Sequence, residues 1–166
     1  RVEPGQRVLV NGASGGVGTF AVQIAKALGA EVTGVTSTRN VELVRALGAD
    51  RVIDYTREDF TRGTVRYDVV VDNVGNHPLL AYRRALRDTG VLVMVGGPSV
   101  EPWLGPLSRT LRAAALAPFV SQRYETLFAT LDQADLETVR RMMVAGQVRP
   151  VIDRRYALSE TAAAIR

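Results

Sequence analysis

The chain has no cysteine, which excludes disulfides and thiolate metal ligands from its 166 residues. Histidine occurs once, at His77, so only carboxylates remain in number as metal donors and no metal site is expected. Lysine is equally scarce. Of 21 basic residues only Lys26 is a lysine, and the arginines stand among acidic residues, as in Arg57-Glu58 and Asp153-Arg154. Despite the net charge of +4, this mixing describes a solvated surface and not a basic track for nucleic acid. No run approaches the roughly 20 apolar residues of a membrane span, and the opening RVEPGQR has no apolar signal-peptide core. The expectation is a soluble, cytoplasmic chain with neither nucleic acid nor membrane as partner. At 46% apolar content it has material for one well-buried domain and is short for two.

What is present alternates β-branched runs with helical patterns. RVLVNG is followed by a helix placing Val17, Phe20, Ala21, Ile24 and Leu28 on one face, then EVTGVTS, NVELVRALG, RVIDY, YDVVVDNVG, a helix across LLAYRRALRDTG, and VLVMVGG. Runs such as VVV and VLVMV are continuous, as in strands covered on both faces. Gly29, Gly48 and Gly90 each follow a helical stretch, where a left-handed cap is expected. Beyond Gly97, PSVEPWLGPLSRT reads as loop, DLETVRRMMVAG as helix, and PVIDRRYALSETAAAIR as a strand-like piece with a helix from Ser159. The βαβαβ order predicts an α/β fold: a doubly wound parallel sheet in three α/β/α layers with right-handed crossovers.

The segment Gly12 to Gly18 packs four glycines into seven residues between a strand and a helix. A P-loop would need a glycine at position 17 and then a lysine, but Val17 stands there and the only lysine is Lys26. The short-chain dehydrogenase spacing is met by Gly12, Gly16 and Gly18. The Tyr-x-x-x-Lys pair of that class is absent, since Asp59, Val71, Leu86, Phe128 and Glu160 follow the five tyrosines at that spacing. The remaining reading is the Rossmann dinucleotide fingerprint over Ala13, Ser14, Gly15, Gly16, Val17 and Gly18, with Ala13 at the first glycine position. Gly15 and Gly16 would let pyrophosphate approach the backbone, and Gly18 would let helix and strand pack closely. After the second strand come Thr36, Ser37, Thr38, Arg39 and Asn40, without the carboxylate that usually binds the 2′-hydroxyl of NAD. Arg39 with Ser37 would instead favour a 2′-phosphate, hence NADP(H) over NAD(H).

PGQRVLVNGASGGVGTFAVQIAKALGAEVTGV, LVRALGADRVIDY, YDVVVDNVG, VLVMVGG and GQVRPVIDRRYALSETAAAIR occur in an order that resembles the medium-chain dehydrogenase/reductase superfamily. Among its branches the chain is most similar to the quinone oxidoreductase-like and zinc-binding alcohol dehydrogenase proteins. The resemblance implies a Rossmann cofactor domain (1–146) and the start of a return segment (147–166) towards a GroES-like catalytic domain mostly absent from this chain. It implies that Tyr55 lies against the adenosine phosphate. Asn73, Val74 and Gly75 would lie beside the nicotinamide ribose, with Gly96 and Gly97 on the same edge. Relatives that use NADPH often have a lysine slightly further along; Asn40 and Val41 stand here, leaving Arg39 as the cation.

The resulting expectation is a domain that binds NADP(H) for hydride transfer to a quinone, enone, carbonyl or alcohol, with the small-molecule substrate held by the missing half. No residue of this chain is expected to be catalytic, and it is expected to be inactive alone. His77 is expected to be a surface or capping histidine and Trp103 to serve packing or a subunit contact. A homodimer is expected through the sheet edge near Arg112 to Val120. The competing readings are a non-catalytic dinucleotide-sensing or interaction module, and the cofactor domain of a zinc-dependent alcohol dehydrogenase.

Overall fold

A computed structural model describes residues 2–96, 111, 113, 114, 116, 120–127, 130 and 132–165. Six strands form one sheet: β1 (Arg7–Asn11), β2 (Glu31–Thr36), β3 (Arg51–Asp54), β4 (Tyr67–Asp72), β5 (Leu86–Met94) and β6 (Arg123–Thr126). Every pairing is parallel and the spatial order is β3-β2-β1-β4-β5-β6, so the sheet is doubly wound about the boundary between β1 and β4. In register, Asn11 lies beside Val35 on one side and Asp72 on the other. The C-terminal ends of β1, β2 and β4 thus share the edge where such folds bind ligands.

The central strands β1, β2 and β4 are largely apolar and buried, whereas the edge strand β6 (RYET) is polar and partly exposed. Val8, Val10 and Val32 point towards α1 (Gly16–Ala27) and α2 (Val41–Ala46), packing with Val22, Ala25 and Val44. Leu9, Val35, Ile53, Val70 and Leu92 point the other way, against Tyr82 and Ala85 of α3 (Leu79–Ala85). Two further helices, α4 (Gln133–Val144) and α5 (Thr161–Ala164), follow β6. Among the described residues, no helix is long and apolar enough to cross a membrane.

Four local expectations are corrected. The buried face of α1 is Gly18, Thr19, Val22, Gln23 and Ala25, whereas Val17 is 58% exposed and Phe20, Ala21, Ile24 and Leu28 are half-buried. Close seating on the sheet selects small residues, and the large apolar ones fall outward. The helix expected across 79–90 ends at Ala85, where Leu86 pairs with Tyr67 and the chain enters β5 through a register shift. Gly29 and Gly48 do take left-handed caps, at φ +84° and +100°. Gly90 does not, and instead passes close to the Tyr67 carbonyl. Finally, residues 150–157 form no strand, having no neighbouring strand to pair with.

Candidate functional site

The turn leaving β1 is set by two glycines. Gly12 takes φ +80°, and a Cβ there would lie 2.8 Å from Val74 Cγ2. Gly18 lies so close beneath it that any Cβ would overlap the Gly12 carbonyl oxygen. The glycines that the turn itself requires are therefore Gly12 and Gly18. Ala13, expected at the first fingerprint position, is fully buried and its amide donates to the Val35 carbonyl at 2.9 Å, so it faces the sheet and not a ligand. A left-handed turn one residue earlier was the signal missed.

At the start of α1 the Gly15 amide returns to the Gly12 carbonyl at 3.1 Å, and no side chain caps the helix. The amides of Gly16 and Val17 have no acceptor among the described residues, and both residues are exposed. Unpaired N–H groups at the positive end of a helix form an anion seat. The side-chain-free, exposed backbone at Gly15 and Gly16, with open space beside Gly16, leaves room for a phosphate there.

This seat opens into a cleft of about 750 Å³, shared by Ser14, Gly15, Gly16 and Thr19, by Arg39, Asn40 and Leu43 after β2, and by Val151, Ile152 and Asp153. Ser14 Oγ accepts from Thr36 Oγ1 at 2.8 Å and from Asn40 Nδ2 at 3.1 Å, which leaves its own proton to donate into the cleft. Thr36 is 2% exposed, so its expected contact role is corrected to one of orienting Ser14. Ser37 is half-buried and accepts a long bond from Asn40 at 3.5 Å. The Arg39 guanidinium is exposed and makes no ion pair or hydrogen bond among the described residues. The nearest strand-end carboxylate, Asp54, is already engaged. The Thr38 hydroxyl donates to it and, with Thr56, holds its carboxyl below the ordinary range. Tyr55, at the same strand end, is 60% exposed and is not a core aromatic.

Across the switch point, Asp72 is fully buried and accepts from Asn11 Nδ2 at 2.8 Å and from the Gly75 amide at 3.0 Å. Both the Asn73 amide and its carboxamide donate to the Asn11 carbonyl, at 3.2 and 3.0 Å. Asn73 therefore ties the ends of β1 and β4 together, while its buried Oδ1 has no hydrogen-bond partner. Val74 is 40% exposed, and Gly75 turns the chain at φ +70°. Gly96 passes against the Asn73 carbonyl with no room for a Cβ. Asn11 and Asp72 were missed from sequence, although both are polar residues terminating apolar strands.

His77 is half-buried, its ring 4.9 Å from that of Phe60 and 5.9 Å from that of Tyr82, so it packs and is not a surface or capping residue. Gly97, Trp103 and most of the segment 112–120 lie outside the described residues. Leu111, Ala113, Ala114 and Leu116 are helical, and among the described residues β6 is the outermost strand on that side of the sheet.

A family model described as zinc-binding dehydrogenase matches residues 47–166. The chain belongs to this family. Zinc-binding dehydrogenases fall within the medium-chain dehydrogenase/reductase superfamily, and the doubly wound sheet described above is the Rossmann arrangement of its solved members. The chain is 35% identical to a zinc-type alcohol dehydrogenase-like protein of Schizosaccharomyces pombe, covering 97% of this chain and 48% of that protein. It is 36% identical to a mitochondrial NAD(P)H oxidoreductase of Mus musculus, covering 94% and 43% respectively. The structure of the quinone oxidoreductase from Coxiella burnetii superposes with a TM-score of 0.81 at 30% identity, over 99% of this chain and 49% of that one. The chain thus spans less than half the length of each of these three relatives. The zinc of the family name has no fitting donor set here: the chain lacks cysteine, and among the described residues no three His, Asp or Glu side chains cluster.

Proposed function

We propose that this chain is the NADP(H)-binding domain of a medium-chain oxidoreductase that moves hydride between the nicotinamide and a quinone, enone, carbonyl or alcohol. The observation that carries the reading is the unpaired Arg39 guanidinium facing the same cleft as the open α1 amides, with no carboxylate at the end of β2. The Gly16 and Val17 amides hold the pyrophosphate, the Ser14 hydroxyl donates to it, and Arg39 with Ser37 meets the 2′-phosphate. Tyr55 covers the adenosine side. Val74, Gly75 and Gly96 border the nicotinamide side, with the turn at Val74 and Gly75 held by Asp72. The bound dinucleotide supplies the hydride; this chain binds and orients it, and the polarising group for substrate lies elsewhere in the protein. The name of the Mus musculus relative, an NAD(P)H oxidoreductase, supports a nicotinamide cofactor.

On this reading residues 1–146 are the cofactor domain and 147–166 the return segment, in a cytoplasmic protein whose subunits pair through the sheet edge. The test is titration of the chain with NADPH and with NADH, followed by energy transfer to the reduced nicotinamide. NADPH is expected to bind at least tenfold tighter, about 1.4 kcal/mol. Equal or tighter NADH binding overturns the preference, and turnover of a quinone by this chain alone overturns its catalytic silence.

A further inference from the structure

Gln23 is a polar side chain in an apolar place. It lies midway along α1 at 5% exposure, on the face that carries Val22 to the sheet. Its carboxamide is fully used. Oε1 accepts the Arg149 amide at 2.9 Å, while Nε2 donates to the Arg149 carbonyl at 3.0 Å and to the Thr19 carbonyl at 2.9 Å. The two bonds to Arg149 engage the N–H and C=O of one residue, which is what a neighbouring strand would do. One side chain thereby replaces a missing strand partner for a segment 126 residues away. Because the bonds reach backbone only, they hold the segment whatever side chain stands at 149.

The clasp has packed neighbours. Val148 is 1% exposed, and Val151 packs against the α1 side of the core. Directly beyond, Val151, Ile152 and Asp153 form one wall of the cleft whose other walls carry Gly15, Gly16 and Arg39. Residues 150–157 have no helix or strand of their own to fix them there.

The geometry points to Gln23 as a positioning residue for the dinucleotide: it fastens the return segment as a wall of the cofactor cleft, so that cofactor binding and segment docking are coupled. This inference rests on the cofactor reading above. Gln23 touches no cofactor in this scheme. Without the clasp the wall is free in the unbound protein, and the ligand must order it on binding, which lowers affinity.

Amide hydrogen exchange and NADPH titration on the 166-residue chain test this together. The wild type is expected to protect the Arg149 amide before ligand is added and to gain protection across 151–153 when NADPH binds. Gln23→Leu is expected to lose the Arg149 protection and to bind NADPH at least fivefold more weakly, while the strand amides of β1 and β4 stay protected. Wild-type affinity in a Gln23→Leu protein overturns the coupling alone, as does an Arg149 amide that exchanges freely in the wild type. Absence of binding to the wild type overturns the cofactor reading and the coupling with it. If Gln23→Leu fails to fold, Gln23→Glu decides. Its carboxyl, once protonated, can accept from and donate to Arg149, so its NADP+ affinity relative to wild type is expected to rise at least threefold from pH 8 to pH 5. A flat ratio overturns the proposal.

Discussion

The helices α1 and α4 are both twelve residues long, and they invert each other's virtues. By local criteria α4 is the better helix. Asp132 caps it by accepting the Ala134 amide at 2.8 Å, Glu137 pairs with Arg140 at 2.7 Å, and Gly146 closes it at φ +72°. Yet α4 buries none of its residues, whereas α1, with no side-chain cap, buries five. What seats α1 is tertiary: Gly18 removes the side chain that would hold it off the β1 turn. Its N-terminus is left open, with the Gly16 and Val17 amides unpaired among the described residues, as the proposed anion seat requires. The poorer local start marks the working helix.

Substitutions can break this contrast. The largest effect is expected from Gly18→Ala, whose methyl would overlap the Gly12 carbonyl. Thermal denaturation should register a loss of about 3 kcal/mol, a fall in Tm of roughly 6–12 °C, and NADPH binding should disappear. Next, Val22→Ala in α1, at a fully buried position, should cost about 2 kcal/mol. Leu136→Ala in α4, at a 61% exposed one, should stay within about 0.5 kcal/mol by urea midpoint. Equal costs for the pair would mean that the two helices are seated alike. Smaller again is Arg39→Ala, expected to weaken NADPH about tenfold, roughly 1.4 kcal/mol, with NADH unchanged in the same titration.

The smallest effect is electrostatic and sharpens the contrast at the other end of α1. Partial burial pushes the Asp50 carboxyl up, but the bonds from Lys26 and the Val32 amide outweigh it and hold the group below its ordinary value. The folded state therefore binds this proton less readily than the unfolded chain. The resulting stability is complete above the unfolded carboxylate value and disappears as pH falls through the lower folded one. Asp50→Asn should flatten the acid limb below about pH 4 in urea midpoints measured against pH. On α4 the Arg140 bond also lowers Glu137, but that pair is solvent-screened and links no separate elements. Glu137→Gln should move no midpoint measurably.

What sequence reveals follows the same division. The alternation of strands and helices was legible because the central strands β1, β2 and β4 are runs of mainly apolar residues. The glycine loop was legible because it interrupts that alternation, and Arg39 stood out as a cation where a carboxylate is usual. The inner face of α1 was not legible, since apolar residues occur around the helix and the sheet selected the small ones, Gly18 and Ala25. Nor could sequence show that Thr36 serves Ser14, or that Gln23 reaches Arg149. Both depend on distances between elements that only the folded sheet fixes. The strand-like reading of PVIDRRY failed for the same reason, because a strand is a property of two segments and only Arg149, just before this stretch, finds a partner, in the Gln23 side chain.

The scarcity of lysine has a practical corollary. The Lys26 ammonium is gripped by both Asp50 carboxylate oxygens at 2.8 Å and by the Ala30 carbonyl at 3.2 Å, in the last turn of α1. An endoprotease that cuts only after lysine has a single target in these 166 residues, the Lys26–Ala27 bond. To be cut there, the helix end must unwind and release Asp50. The pace of one clean scission into two fragments therefore clocks how often the first βαβ crossover comes undone.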